Sequence, residues 1–311
     1  MKLATYAHRD RRSFGVVTDR GLCDVPAHWP DGPATLLAAL QGGAATLARL
    51  AALPGRADRF IPLADVRLLA PIPDPPKLLA LAVNYVAHHR EVDRGHDMPT
   101  DPTLTTTPRP FLKPATTIAH PGDQIPWPAT SRQIDYEIEL AVVIGSLAKD
   151  VSPQAAVHHV AGYTIANDVS ARSATFAEGR TARPKDDFFD WLHGKWPDGF
   201  CPMGPHLVTP DEIGDVRDLA LELTVNGTTR QKARTSLMIF DVFQIVSFCS
   251  HLMTLLPGDV ILTGTPSGVA LATGDFLAGG DVITCRIERI GELTNSLSHP
   301  PASFYTPCRN P

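Results

Sequence analysis

The sequence predicts a strand-dominated α/β fold in two unequal units, and three observations carry that expectation. Apolar runs rich in β-branched residues recur from Leu78 onward, and the repeated strand–helix alternation of a doubly wound sheet is missing. In addition, Pro71-Ile72-Pro73-Asp74-Pro75-Pro76 interrupts the chain. Proline lacks the backbone donor and fixes φ, so this run is neither helix interior nor central strand. The boundary is placed there, giving a small N-terminal α/β domain over 1–70 and a larger domain over 71–311.

In the first unit Lys2 to Tyr6, Ser13 to Thr18 and Gly21 to Val25 read as short strands. Ala34 to Leu53 is Ala/Leu-rich with helical spacing, broken at Gly42 and Gly43. Beyond the prolines the strand candidates are Leu78 to Val83, Ile138 to Ile144, Tyr163 to Ala166, Leu219 to Val225, Val260 to Thr263 and Val282 to Ile287. Asn226-Gly227 and Pro257-Gly258-Asp259 supply turn chemistry between them. One clear helix is expected from about Asp241 to Leu256, where Val242, Ile245, Val246, Cys249, Leu252, Met253 and Leu256 recur at helical spacing. That stripe is core packing.

A chain of 311 residues, 43% hydrophobic and 20% charged, can bury a substantial core. Its formal net charge of -5, with no Lys/Arg block, argues against a nucleic-acid partner. The start, MKLATYAHRDRRSFGVV, lacks the continuous apolar stretch of roughly 7–15 residues that a secretory signal needs, so a cytoplasmic location is expected. No window approaches the roughly 20 apolar residues of a membrane span. Five widely spaced cysteines without a CxxC pair suggest buried thiols rather than a disulfide framework or a zinc site.

The chemistry starts at Asp135-Tyr136-Glu137-Ile138-Glu139, which runs into Leu140-Ala141-Val142-Val143-Ile144. Alternating acids followed by continuous apolar residues describe a strand passing from a site into a core. Residues i and i+2 share one face of a strand, so Glu137 and Glu139 can converge, and converging carboxylates need a neutralising charge. A hard cation with oxygen ligands fits, Mg²⁺ by default. Asp168 follows an apolar strand directly and is a third acid of the right type. On spacing alone a solvated strand face for the glutamates and a turn or cap role for Asp168 remain open.

Taken together, the segments resemble the fumarylacetoacetate hydrolase superfamily. The match runs through Asn84-Tyr85-x-x-His88, Phe111-Leu112-Lys113-Pro114, Asp135-Tyr136-Glu137-Ile138-Glu139, Asn167-Asp168-Val169-Ser170-Ala171-Arg172 and Gly204-Pro205. It continues through Val225-Asn226-Gly227, Met238-Ile239-Phe240, Pro257-Gly258-Asp259-Val260-Ile261, Thr263-Gly264-Thr265-Pro266-Ser267-Gly268-Val269 and Ile290-Gly291-x-Leu293-x-Asn295. The resemblance implies a mixed β-sandwich roll as the catalytic domain, a homodimer, and a divalent cation held by Glu137, Glu139 and Asp168: Mg²⁺, Mn²⁺ or Ca²⁺. It places Arg172 and Lys195 nearby as cations, with Lys113 a third. Tyr85, Lys113, Arg172, Gly264 and Thr265 become candidate substrate contacts.

His88 and Glu91 stand three apart, neighbours on one helix face. A carboxylate beside an imidazole fixes its tautomer and raises its basicity, as water activation requires. By spacing alone such a pair is more often a surface ion pair. The resemblance implies a catalytic dyad there, on a short lid helix, with His89 the competing base. The polar, Thr-rich segment from Arg94 to Pro110 is expected to form a mobile lid.

Two departures bear on specificity. A family pattern Ser-Ala-Arg-Asp-x-Gln stands here as Ser170-Ala171-Arg172-Ser173-Ala174-Thr175, and Lys-Ser-Phe-Asp-x-Phe as Lys195-Trp196-Pro197-Asp198-Gly199-Phe200. Between them Phe176 to Gly194, containing Asp186-Asp187-Phe188-Phe189-Asp190-Trp191, is rich in aromatics, and this loop is expected to wall the pocket or build a dimer contact.

The leading expectation is hydrolysis of a C–C bond in an acylpyruvate-like 1,3-dioxo acid. The cation would chelate the oxo-acid head and stabilise an enolate, His88 with Glu91 would activate water, and Lys195 would stabilise negative charge or protonate the departing carbon. Decarboxylation, tautomerisation or isomerisation, and hydration on the same scaffold form the second expectation. A non-catalytic metal-binding scaffold is the third.

Overall fold

The computed structural model describes residues 1–92 and 102–307. A large mixed sheet runs through both units. Its main path is Gly21–Asp24, Arg11–Thr18, Lys2–His8, Cys201–Val208, Val160–Asn167, Ile138–Ile144, Val260–Leu262, Leu78–Leu81 and Pro110–Leu112. The N-terminal strands are thus continuous with the sheet that carries the acids, joined where Lys2 and Leu3 face Val208 and Leu207. The proline run 71–76 lies between strands Arg67–Leu69 and Leu78–Leu81, outside any helix or strand.

Strand Ile138–Ile144 is buried along its whole length, and its side chains alternate between two cores. Leu140, Val142 and Ile144 join one that reaches a second, smaller sheet, whereas Ala141 and Val143 join one that reaches the N-terminal helices. This explains the continuous apolar run read from the sequence. The second sheet orders Thr228–Arg234, Ala220–Val225, Val282–Ile287, Gly291–Leu297 and Gln124–Ile125. Its first hairpin turns at Asn226-Gly227, both with positive φ (50° and 78°), the conformation that suits a two-residue turn between twisted strands.

The expected helix over 241–256 is realised as Val242–Leu252. Asp241 caps it by accepting from the Phe243 and Gln244 amides at 2.9 and 2.8 Å, and Gln244 answers on the Asp241 amide at 2.9 Å. It stops early because Met253 is extended and Leu255 bonds back to the Ala148 carbonyl at 2.9 Å. The stretch 34–53 forms helices Leu36–Gln41 and Gly43–Ala52, broken where the glycines predicted.

Strand Cys201–Val208 was not legible in the sequence. It is central, yet contains Pro202 and Pro205, which argue against a central strand. Pro205 falls where the pairing with Val160–Asn167 shifts register between Tyr163 and Ile165, so its missing donor interrupts no regular ladder. Of the segment expected to form a lid, residues 94–101 lie outside the described residues. Residues 102–110 hold one helical turn, Pro102–Thr105, and lead into strand Pro110–Leu112. Among the described residues no helix is long and apolar enough to cross a membrane.

Candidate active site

Antiparallel register builds the acidic cluster. Ile138 pairs with Asn167, so Asp168, one residue past its strand, falls beside Glu137. The Asp168 amide donates to the Glu137 carbonyl at 2.8 Å, and Asn167 Oδ1 accepts from the Glu137 amide at 2.9 Å. Glu139 lies within the strand. The three carboxylates each bring an oxygen within 4.8 Å of the others, and all are buried.

Three cations neutralise the cluster. Lys195 Nζ lies 2.7 Å from Glu137 Oε2 and 2.8 Å from Asp168 Oδ2. Lys113 Nζ lies 2.5 Å from Asp168 Oδ1 and donates to the Lys195 carbonyl at 2.6 Å. The Arg172 guanidinium bridges Glu137 and Asp135, the latter at 2.9 Å. Asp135, fully buried, also accepts from the amides of Tyr136, Ala270 and Leu271, at 2.8, 2.6 and 3.1 Å. It fixes Arg172 against the site, a role the sequence motif contained but did not disclose.

Beside this cluster opens a cavity of about 430 Å³. Glu137, Arg172, Lys195, His88 and Thr265 line its charged end, and Phe111, Phe188 and Trp191 line an aromatic wall. His88 Nδ1 is 2.9 Å from Glu91 Oε1, and Glu91 is itself held by the Gly268 amide at 3.1 and 2.9 Å. Both dyad residues sit on helix Val86–Val92.

Residues 77–298 match the family described as Fumarylacetoacetate (FAA) hydrolase C-terminal. The chain belongs to the fumarylacetoacetate hydrolase family. It is 37% identical over 279 residues to oxaloacetate tautomerase FAHD2A, mitochondrial, of Bos taurus, covering 89% of this chain and 84% of that protein. It is 34% identical over 302 residues to 2,4-didehydro-3-deoxy-L-rhamnonate hydrolase of Sphingomonas sp. (strain SKA58), covering 96% of each. Among solved structures it is similar to maleylpyruvate hydrolase from Sphingobium sp. SYK-6 in complex with manganese(II) ion and pyruvate. The TM-score is 0.75 at 30% identity, with 97% of this chain and 100% of that chain covered. These fumarylacetoacetate hydrolase relatives are named as enzymes, and the family's strand-rich α/β fold is the one found here.

The cluster fits a divalent cation. Among the described residues Glu139 Oε1 is buried without a hydrogen-bond partner, an orphaned acceptor beside the other carboxylates. Burial, then the charges of Asp168 and Glu137, pushes the Glu139 pKa well up. Glu137 is opposite in sign: burial raises its pKa, but the charges of Lys195 and Arg172 outweigh that and bring it down to about 2. Burial disfavours the Lys195 ammonium, and Asp168 and Glu137 more than compensate, holding its pKa above the ordinary value. The candidate ligands are all oxygen, as hard cations prefer.

The structure separates the other candidate residues. Arg172, Lys195 and Thr265 line the cavity, whereas Lys113, Tyr85 and Gly264 are not part of its lining. The Gly264 amide donates to Glu139 Oε2. The Thr265 hydroxyl donates to the Ile138 carbonyl at 2.9 Å and accepts from Gln231 at 2.8 Å. Those donors, expected to meet a substrate oxygen, are spent within the protein. Tyr85 is 2% exposed, its hydroxyl lacks a partner among the described residues, and burial followed by the Glu139 charge pushes its pKa up. The 186–191 stretch forms helix Asp186–His193, whose Phe188 and Trp191 wall the cavity, one of the two roles expected for it.

Proposed function

We propose that this protein hydrolyses the C–C bond between C3 and C4 of an acylpyruvate-like 2,4-dioxo acid. The observation that supports this best is that a carboxylate-clamped histidine shares one cavity with the carboxylate–lysine–arginine cluster. A divalent cation, Mg²⁺ or Mn²⁺ with Ca²⁺ a further candidate, would be held by Glu137, Glu139 and Asp168. Its Lewis acidity would polarise the 2-oxo acid head and stabilise enolate charge.

Within the chain, ionised Glu91 requires Nδ1 of His88 to be the donor of their hydrogen bond, leaving Nε2 to take a proton from water. The water oxygen adds to the C4 carbonyl carbon. Cleavage of C3–C4 then sends the bonding pair to the pyruvate fragment, which gains a proton at C3, and the acyl fragment leaves as a carboxylate. Arg172 and Lys195 hold positive charge at the end where the anionic head sits, and the aromatic wall packs against the acyl substituent beyond C4.

The tautomerase relative favours a second reading, proton transfer at C3 of an oxaloacetate-like acid with His88 as the shuttle. Turnover of acetylpyruvate, benzoylpyruvate and oxaloacetate, each with and without Mg²⁺, tests both. Metal-dependent release of pyruvate from an acylpyruvate supports hydrolysis. Enol–keto conversion of oxaloacetate without any acylpyruvate cleavage supports the second reading and rejects the first.

A further inference from the structure

The cavity is divided. Its charged end is formed by Glu137 of the acid cluster with Arg172, Lys195 and His88. Beyond Lys195 the wall turns aromatic: the Lys195 ammonium lies 5.9 Å from the Phe111 ring, Phe111 meets Trp191 edge-on at 5.0 Å, and Trp191 meets Phe188 at 5.8 Å. Phe188 is 51% exposed, a large apolar ring left facing an open cavity. The wall is held in place from behind. Arg180 grips Asp190 with two parallel bonds of 2.8 and 2.6 Å, and Arg183 binds Asp186 at the start of the same helix.

We propose that the substituent beyond the oxo-acid head is an apolar planar group, aryl or conjugated alkenyl, seated against Trp191 and Phe188. This rests on the reading of the charged end as the site of the 2-oxo acid. Offset or edge-on contact with two rings rewards a flat apolar group beyond the area it buries. Phe188 and Trp191 lie between the two motifs that depart from the family pattern, so this preference belongs to the chain's own residues. Arg109 also lines the cavity and could draw a second carboxylate, but it is exposed, and a solvated guanidinium attracts an anion weakly.

The test is calorimetric titration of the Mn²⁺-loaded protein with 2-oxobutanoate, 2-oxo-4-phenylbutanoate and 2-oxoadipate. These share the head, lack the 4-oxo carbon and are not hydrolysed, so binding is read independently of turnover. The phenyl compound is expected to bind at least about tenfold more tightly than 2-oxobutanoate. Trp191→Ala should remove most of that ratio. Phe188→Ala, at a half-exposed position that does not endanger folding, should reduce it at least about threefold. Equal affinity for the two, or an unchanged ratio in Phe188→Ala, overturns the proposal. So does tightest binding of 2-oxoadipate with its advantage lost in Arg109→Ala, which would assign specificity to the rim. Failure of all three compounds to bind overturns the oxo-acid reading itself, and this proposal with it. Discrimination without cleavage of benzoylpyruvate would reject only the hydrolase reading.

Discussion

The Asp168 amide donates to the Glu137 carbonyl at 2.8 Å, so two proposed metal ligands flanking neighbouring strands are locked together by backbone before any side chain is considered. Their carboxylates then share Lys195, whose Nζ lies within 2.8 Å of both. The site is preorganised by strand register, which makes single-ligand substitutions informative about the metal rather than about folding.

Glu139→Ala should therefore weaken Mg²⁺ or Mn²⁺ binding by more than the roughly 10–100-fold that loss of an outer-shell partner costs, with little change in circular dichroism. Calorimetric metal binding indistinguishable from that of the unsubstituted protein would remove Glu139 from the ligand set.

Because the clustered acids offer only oxygen, purified protein should exchange Mg²⁺ and Mn²⁺ freely and retain little zinc. Elemental analysis gives the answer directly, and stoichiometric zinc surviving dialysis would contradict the assignment.

His88→Ala should lower turnover of the best acylpyruvate by roughly 10²–10⁴-fold, the usual worth of a positioned base. Glu91→Gln should be milder, since the Gly268 contact and the ring remain while the carboxylate that orients the imidazole is lost. Undiminished hydrolysis in His88→Ala would take the dyad out of the mechanism.

Asp135→Ala should be among the most destabilising single changes. It strands three amides and leaves the Arg172 guanidinium, 7% exposed, with Glu137 as its remaining acid partner. Removing one partner from a buried ion pair costs about 3–5 kcal/mol, readable as a fall in urea midpoint. A loss under about 1 kcal/mol would show that these bonds are replaced by solvent.

Gly264 has φ +90°, and a Cβ there would stand 2.7 Å from that of Asn84. Asn84 ties this turn to its neighbours by donating to the Thr263 and Phe240 carbonyls at 2.8 and 3.0 Å. Gly264→Ala should cost about 1–3 kcal/mol in backbone strain and weaken metal binding by shifting the amide from Glu139. A thermal melt and a metal titration on the same sample check both halves; normal metal affinity would mean the turn adjusts without moving its donor.

Much of the fold was written locally. The run Ile138–Ile144 is apolar throughout because both its faces are buried, and helix Val242–Leu252 announces itself by its stripe and its Asp241/Gln244 cap. The ordered motifs identify the family, and with it Glu137, Glu139 and Asp168 as candidate ligands. The spacing of the acids alone left a solvated strand face open. What decided against that face is long-range: their burial depends on the pairing of Ile138 with Asn167 and on Lys113, Arg172 and Lys195 arriving from other segments. Strand Cys201–Val208 was hidden by its two prolines, of which Pro205 is accommodated at a register shift. Whether the Gly264 amide and Thr265 hydroxyl face substrate or protein was likewise undetermined, because a donor's partner is set by what packs against it in space. Periodicity records which face of an element is apolar; register and the partners of each polar atom exist only once distant segments have met.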